Sequence, residues 1–330
     1  MNNLDLLTIG DVTMDAFLLP SESEVLCNVN SQDCSICFSY GDKIPVKNLD
    51  FSVGGNAANN SVGVRRLGVN VGLVTTLGGD LIGNQIMEYL QKEGVDLTYA
   101  IQQPMAATNY SNIIMYGGER TIFTYHAPRS YEFPIHLPQV PWVYMTSLGE
   151  TSTPFIHHVL DWLDINKEVN LAYNPGSVQL RGDPEILSKI IARSNLLYVN
   201  RKEAEMITDF HESEGKEKEL LQKMSERGPK IVVITDSRDG SYIYDGQTFV
   251  KAGVLPVDAY ERTGAGDAFG AGCLAAIIKG KSLHDSLLWG TLNSASVIGY
   301  VGSQKGLLHD SEIAVWMDRA RSSGVKVEEF

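Results

Sequence analysis

Residues 261–272 read Glu-Arg-Thr-Gly-Ala-Gly-Asp-Ala-Phe-Gly-Ala-Gly. A polar loop with two glycines gives way to a carboxylate and then to a run of small and apolar residues, Ala268 to Ile278, that reads as a buried helix. Gly264, Ala265 and Gly266 then fall at the helix N-terminus, where backbone N–H groups have no intrahelical partner and the dipole is positive. Such a corner holds phosphate-like anions. Asp267 stands beside it. A carboxylate there opposes simple anion binding, but it makes sense as the group that takes a proton from a hydroxyl attacking phosphorus. The competing reading is a tight turn that opens a core helix. A dinucleotide fingerprint does not fit, because Phe269 holds the third glycine's place, and a full Walker motif is absent.

Around this stretch the chain alternates strands and helices. Apolar runs at Leu4–Gly10, Val46–Val53, Val69–Leu77, Val140–Leu148, Val169–Tyr173, Leu196–Val199 and Ile231–Thr235 read as strands. Helical patterns cover about 57–67, 81–92, 154–165, 184–193, 201–208, 214–227, 266–279, 283–299 and 310–321. Hairpins are expected at Thr108–Tyr125, around Gly117-Gly118, and at Tyr242–Val250, around Asp245-Gly246. The alternation predicts one α/β domain of three layers, α/β/α, with a mainly parallel sheet. Ligands then sit beyond the C-terminal strand ends. Segments at about 12–50 and 97–127 break the alternation and read as a small β-sheet lid inserted in the core.

The chain has 330 residues, 43% of them hydrophobic and 20% charged, enough for a large core. A formal charge of −13 argues against a nucleic-acid or anionic-membrane surface. No apolar run approaches the roughly 20 residues of a membrane span. The start, Met-Asn-Asn-Leu-Asp-Leu-Leu, lacks the basic region of a signal peptide, so a cytoplasmic location is expected. Cys27, Cys34 and Cys37 could begin a zinc site or a redox pair; three ordinary thiols in an insertion is the preferred reading, with Cys273 away in the helix after Asp267.

Four polar clusters follow strand ends or open helices. They are Gly10-Asp11 with Thr13 and Asp15, Gly54-Gly55-Asn56 with Asn59, Asn200-x-x-Glu203, and Gly264-Ala265-Gly266-Asp267. In this order, with Ser52-Val-Gly-Gly-Asn-Ala-Ala-Asn as one signature and Arg262-Thr-Gly-Ala-Gly-Asp-Ala-Phe as the other, the chain resembles the ribokinase-like carbohydrate kinases of the PfkB family. The resemblance implies a ribokinase-like core and transfer of the γ-phosphoryl group of ATP to a primary alcohol of a sugar or nucleoside. It implies Asp267 as general base and Gly264, Ala265 and Gly266 as the anion hole. It places Asp15, Thr13, Gly54, Gly55, Asn56 and Asn59 on the acceptor. Asn200 and Glu203 match a motif that positions Mg²⁺, mostly through water; read alone, they are a helix cap and its capping-box partner. Thr235 and Gly240 match a loop beside the nucleotide, although Ser237 replaces its middle glycine. Asn293 faces the adenine on this reading, or else is a core asparagine. Glu261 stands where some members bind K⁺ through an aspartate. Arg120, His126 and Arg129 could close over the substrate or could be ordinary lid charges.

A sugar acceptor is preferred. A nucleoside is the alternative, with Phe38, Tyr40, Tyr110 and Tyr125 as a platform for the base. A binding protein without catalysis is the rival from another class, and the intact Gly-Ala-Gly-Asp speaks against it. Relatives commonly form dimers lid to lid, so a homodimer is a further expectation.

Overall fold

Runs such as Leu6–Ile9 and Leu196–Val199 are buried on both faces, as strands of a covered parallel sheet must be. In the computed structural model, residues 3–21, 24–27, 34–117, 119–134, 136–260 and 262–330 are described. The chain runs β1 (Leu6–Ile9), β2 (Thr13–Pro20), β3 (Glu24–Cys27), β4 (Cys34–Cys37), β5 (Val46–Gly54), α1 (Asn56–Arg66), β6 (Val71–Gly78), α2 (Leu81–Lys92), β7 (Ala100–Gln103), β8 (Tyr110–Tyr116) and β9 (Glu119–Tyr125). Regular alternation follows: β10 (Trp142–Met145), α3 (Thr153–Ile165), β11 (Asn170–Tyr173), α4 (Ser177–Arg181), α5 (Pro184–Arg193), β12 (Leu196–Asn200), α6 (Arg201–Thr208), α7 (Glu217–Ser225) and β13 (Ile231–Thr235). The hairpin β14 (Ser241–Tyr244) and β15 (Phe249–Ala252), then α8 (Ala265–Ile278), α9 (Leu283–Val297), α10 (Ile313–Ser322) and β16 (Val327–Glu329), complete it.

The large sheet has the order β16-β15-β14-β13-β12-β11-β10-β1-β6-β7. It is parallel from β13 to β7 and antiparallel across β13–β16. Strand β1 lies between β6 and β10, so the order reverses there and a crevice opens beyond its C-terminal end. Alternate side chains enter two cores. Leu6 packs in one with α1, α8 and α9, through Val62, Ala271 and Leu292. Leu7 and Ile9 pack in the other with α3, α5 and α7, through Val159, Ile190 and Leu221. This is the three-layer α/β/α arrangement expected. Helix α8 is buried along most of its length, and small residues permit the close approach of α9: a Cβ on Gly272 would stand 2.5 Å from the Trp289 carbonyl oxygen.

A second sheet, β5-β2-β8-β9, is drawn from both segments that interrupt the alternation. Strand β7, within the second segment, instead pairs with β6 at the edge of the large sheet. Thr13 pairs with Gly54 and Asp15 with Ser52, so the small sheet is rooted at the end of β1. In the separate β3–β4 hairpin, Cys27 lies opposite Cys34 in the register. Cys34 is disulfide-bonded, whereas Cys37 and Cys273 are free. The expectation of three ordinary thiols is therefore corrected at Cys34, while Cys37 is the free thiol expected. No helix among the described residues is long and apolar enough to cross a membrane.

Candidate active site

Gly264 caps α8 in the left-handed conformation, φ +77°. A Cβ there would stand 2.3 Å from that of Ser303, so the position excludes a side chain on two grounds. The first intrahelical bond runs from Ala268 N–H to the Gly264 carbonyl at 2.8 Å. The N–H groups of Ala265, Gly266 and Asp267 precede it and have no acceptor within the helix; that of Ala265 donates to the Arg262 carbonyl at 3.3 Å, which leaves those of Gly266 and Asp267. Nothing lies within 4 Å of where a Gly266 Cβ would stand. The corner therefore has the form the sequence implies, a helix end open to a ligand.

Asp267 is in the first turn of α8. Asn59, in α1, donates from Nδ2 to Asp267 Oδ2 at 2.7 Å. The Asn59 carbonyl oxygen accepts from Ser303 Oγ at 2.7 Å and from Gln304 Nε2 at 2.8 Å, which fixes the orientation of the amide. The sequence places Asn59 on the acceptor; the structure shows it holding the Asp267 carboxylate. Burial pushes the Asp267 carboxyl up to about 6, and the hydrogen bond from Asn59 opposes the rise. Ser303 and Gln304 escaped the sequence reading, since nothing local links them to a residue 244 positions away.

A second group of candidate residues is built around the β5–α1 turn. A Cβ on Gly54 would stand 2.0 Å from Asp15 Oδ2, so the Asp15 carboxylate occupies the space a side chain would need. Asp15 is buried, Thr13 begins the same strand, and Asn56 opens α1 after Gly55. Asp11 joins them. Its carboxylate accepts from Tyr131 Oη at 2.7 and 3.0 Å, and that phenol oxygen accepts the Gly149 N–H at 2.8 Å. Burial raises the Asp11 pKa, while the Tyr131 bond, the charges of Arg129 and His126, and the Gly149 N–H act against it.

Arg120 is not brought to this site. It pairs with Met115, whereas Asp15 lies in the row of Ser111 and Thr124. Four residues of strand, about 13 Å, separate the two rows. Arg129 is buried and donates to the Thr76 carbonyl, to Asn109 Oδ1 at 2.5 Å and to the Ala127 carbonyl at 3.4 Å; it fastens the small sheet's root. His126 is exposed.

On the other side of Gly266 lies a cavity of about 460 Å³, in the range of small-ligand pockets. Thr235, Ser237, Gly240, Ala265 and Gly266 line it, with Val254–Val257 and one face of α9. That face is Thr291, Ser294, Ala295 and Ile298, at helical spacing. Asn293 is off this stripe and does not face the cavity. It is fully buried, donating to the Ala268 carbonyl at 2.7 Å and accepting Leu308 N–H at 2.9 Å, which corrects the adenine contact. Ser237 keeps φ +47°, the left-handed conformation a glycine would favour. Asn200 and Glu203 form a reciprocal capping box at the end of β12, with bonds of 2.9 and 3.0 Å. Burial raises the Glu203 pKa. No cluster of three or more His, Cys, Asp or Glu among the described residues could cage a metal. Glu261, the candidate K⁺ residue, lies outside the described residues. The triplet Gly280-Lys281-Ser282 follows the far end of α8, where Ser282 caps α9, so it forms no phosphate loop.

An α/β/α core with an anion corner beside a held carboxylate is the frame of a phosphotransferase. The pfkB family carbohydrate kinase model matches residues 10–310, and the chain belongs to that family of sugar kinases. It is 25% identical over 310 residues to the ATP-dependent 6-phosphofructokinase of Thermoanaerobacterium thermosaccharolyticum, covering 91% of this chain and 89% of that protein. Its fold is similar to Arabidopsis thaliana ribokinase complexed with ribose and ATP: TM-score 0.78, 18% identity, 96% and 99% covered. It is also similar to Burkholderia thailandensis nucleoside kinase in complex with inosine: TM-score 0.74, 17% identity, 95% and 98% covered. The fold is ribokinase-like.

Proposed function

We propose that this chain transfers the γ-phosphoryl group of ATP to a primary hydroxyl of a small sugar or sugar derivative. The observation that carries this reading is the carboxylate of Asp267, held by Asn59 at 2.7 Å beside the open N-terminus of α8. A base raised to about 6 is ionised at pH 7 and stronger than an ordinary aspartate, which suits it to remove a hydroxyl proton. The N–H groups of Gly266 and Asp267 receive the charge of the transferred group. Asp15, Thr13, Gly54, Gly55 and Asn56 hold the acceptor. Thr235 and Gly240, with the α9 face, take the nucleotide. Asn200 and Glu203, by the oxygens left over from their capping box, would hold Mg²⁺ through water, and the ion would supply charge neutralisation on the phosphates.

Asp267→Asn tests the reading. Turnover, measured by ADP release over a sugar panel, falls about 10²–10⁴-fold, while ATP binding by calorimetry is retained. Near-normal turnover in this variant removes Asp267 as the base.

One observation favours a nucleoside as the second reading. Tyr110 and Tyr125 are cross-strand partners at the root of the small sheet, an aromatic pair that could carry a base, while Asp15, one row on, points to the other face of the sheet. Phosphorylation of inosine or adenosine in preference to ribose or fructose selects it. A homodimer through the small sheet belongs to the same proposal. Phe51 and Phe123 are 61% and 58% exposed and lie in one cross-strand row. Sedimentation of a monomer at micromolar concentration would remove it.

A further inference from the structure

Resting on the kinase reading, which puts the nucleotide in the cavity beside Gly266, we propose that Arg201 is a positioning residue that holds the Asp236–Gly240 turn in the form that takes the nucleotide. Strands β12 and β13 end side by side, with Asn200 opposite Thr235 in the register. Each strand then hands on one member of an ion pair, Arg201 at the start of α6 and Asp236 at the start of the turn. Nε and Nη2 of Arg201 both donate to Asp236 Oδ2, Nε at 2.8 Å. Nη2 also donates to Glu217 Oε1 at 2.8 Å, and Nη1 donates to the Ser213 carbonyl and Oγ at 2.8 and 3.0 Å. Ser213 is fully buried and donates in turn to Glu205 Oε1. The guanidinium lies over the Tyr242 ring, 5.9 Å from its centre. One side chain, 14% exposed, thus joins the turn to α6, to α7 and to the loop between them.

The turn needs an outside anchor. Ser237 has φ +47°, a conformation that a serine adopts only at a cost, and it stands where the resemblance places a glycine. Inside the turn, the Asp236 N–H donates to the Gly240 carbonyl and the Asp239 N–H to the Asp236 carbonyl, both at 2.8 Å. Thr235, Ser237, Arg238 and Gly240 line the nucleotide cavity. Arg201, Asp236 and Asp239 instead line a separate cavity of about 550 Å³. Arg201 therefore acts on the nucleotide through Asp236. A guanidinium fork fixes a carboxylate in direction as well as distance, and a lysine in its place does not. Without the guanidinium, Asp236 and Glu217, which share its Nη2, would face one another as unpaired like charges.

The experiment uses the full chain with Mg²⁺. It measures ATP affinity by calorimetry, and the KM values for ATP and for the best acceptor by ADP release. Arg201→Lys keeps the charge and loses the fork. It should weaken ATP binding and raise the KM for ATP about tenfold, as loss of hydrogen bonds to a charged group does. The KM for the acceptor, and kcat at saturating ATP, should stay within about twofold of wild type. Asp236→Asn should act in the same direction. The double variant should bind ATP no more weakly than the weaker single variant, since both changes remove one contact. A merely structural arginine would lower the folded fraction, and neither KM depends on that fraction. Unchanged ATP affinity in both single variants overturns the inference. So does a parallel rise of both KM values, or full additivity in the double variant. A wild type that binds ATP but shows no acceptor-dependent ADP release overturns the kinase reading, and calorimetry on the variants then decides the role of Arg201 by itself. A wild type that binds no ATP removes both.

Discussion

On the proposed nucleotide side the cleft is walled largely by backbone and small residues: Gly240, Ala265, Gly266, Ser294 and Ala295. On the proposed acceptor side the groups are charged or amide side chains, Asp11, Asp15, Asn59 and Asp267, and distant segments hold them in place. In the first wall Gly240 admits no side chain, since its φ is +96° and a Cβ would stand 2.1 Å from the Ala252 carbonyl oxygen. The second could be rebuilt with different side chains on the same backbone. Chemistry common to many substrates therefore belongs to the first, and discrimination among substrates to the second.

The largest test of this contrast is Gly264→Ala. A Cβ forced to 2.3 Å from that of Ser303 must move the loop. We expect turnover to fall about 10²–10³-fold with every acceptor alike, read by ADP release. A loss confined to one acceptor would break the division between the two walls.

Asn59→Leu comes next. It removes the amide that opposes the rise of the Asp267 pKa and strands Ser303 and Gln304. Turnover at pH 7 should fall about tenfold, consistent with a buried bond to a charged group. The acid limb of the pH profile should move upward. In the wild type that limb lies at about 6, since the base must be ionised. An unchanged limb in the variant would show that Asn59 does not orient the base.

Stability gives a third, smaller effect. The folded pKa of Asp267 is raised, so the native state binds its proton more tightly than the unfolded chain does. Stability is then fully present below the unfolded value, near 3.9, and is lost as pH rises through about 6. Asp267→Asn should lack this loss and melt several degrees higher than wild type at pH 7, with the difference closing near pH 4 by calorimetry. The smallest change is Ser237→Gly. It relieves a left-handed serine on the nucleotide wall. The gain should be under about 1 kcal/mol, after the glycine's greater chain entropy is set against it, with kcat unchanged.

The same contrast explains what could be read in the sequence. Helices α2 and α6 have the expected bounds, 81–92 and 201–208, because Asp80 and Asn200 cap them and their apolar residues recur at helical spacing. The Gly264–Asp267 corner was legible because backbone geometry restricts its residues. Strand β2 was hidden: Thr-Met-Asp-Ala-Phe-Leu-Leu-Pro does not alternate cleanly and ends in proline. Asn293 was misplaced because sequence alone does not set which face of α9 turns to the cavity; the spacing of Thr291, Ser294, Ala295 and Ile298 would have been the better guide. Tyr131 meets Asp11 across 120 residues, and no local pattern announces such a pair.

Asn59 belongs to the helix that follows the β5–α1 turn, and Asp267 to the helix that Gly264 caps. One amide thus rivets the two helices at the point where alcohol and phosphorus would meet. Swinging of the β5-β2-β8-β9 sheet could admit or expel a guest, yet the proton acceptor would ride with the stationary block.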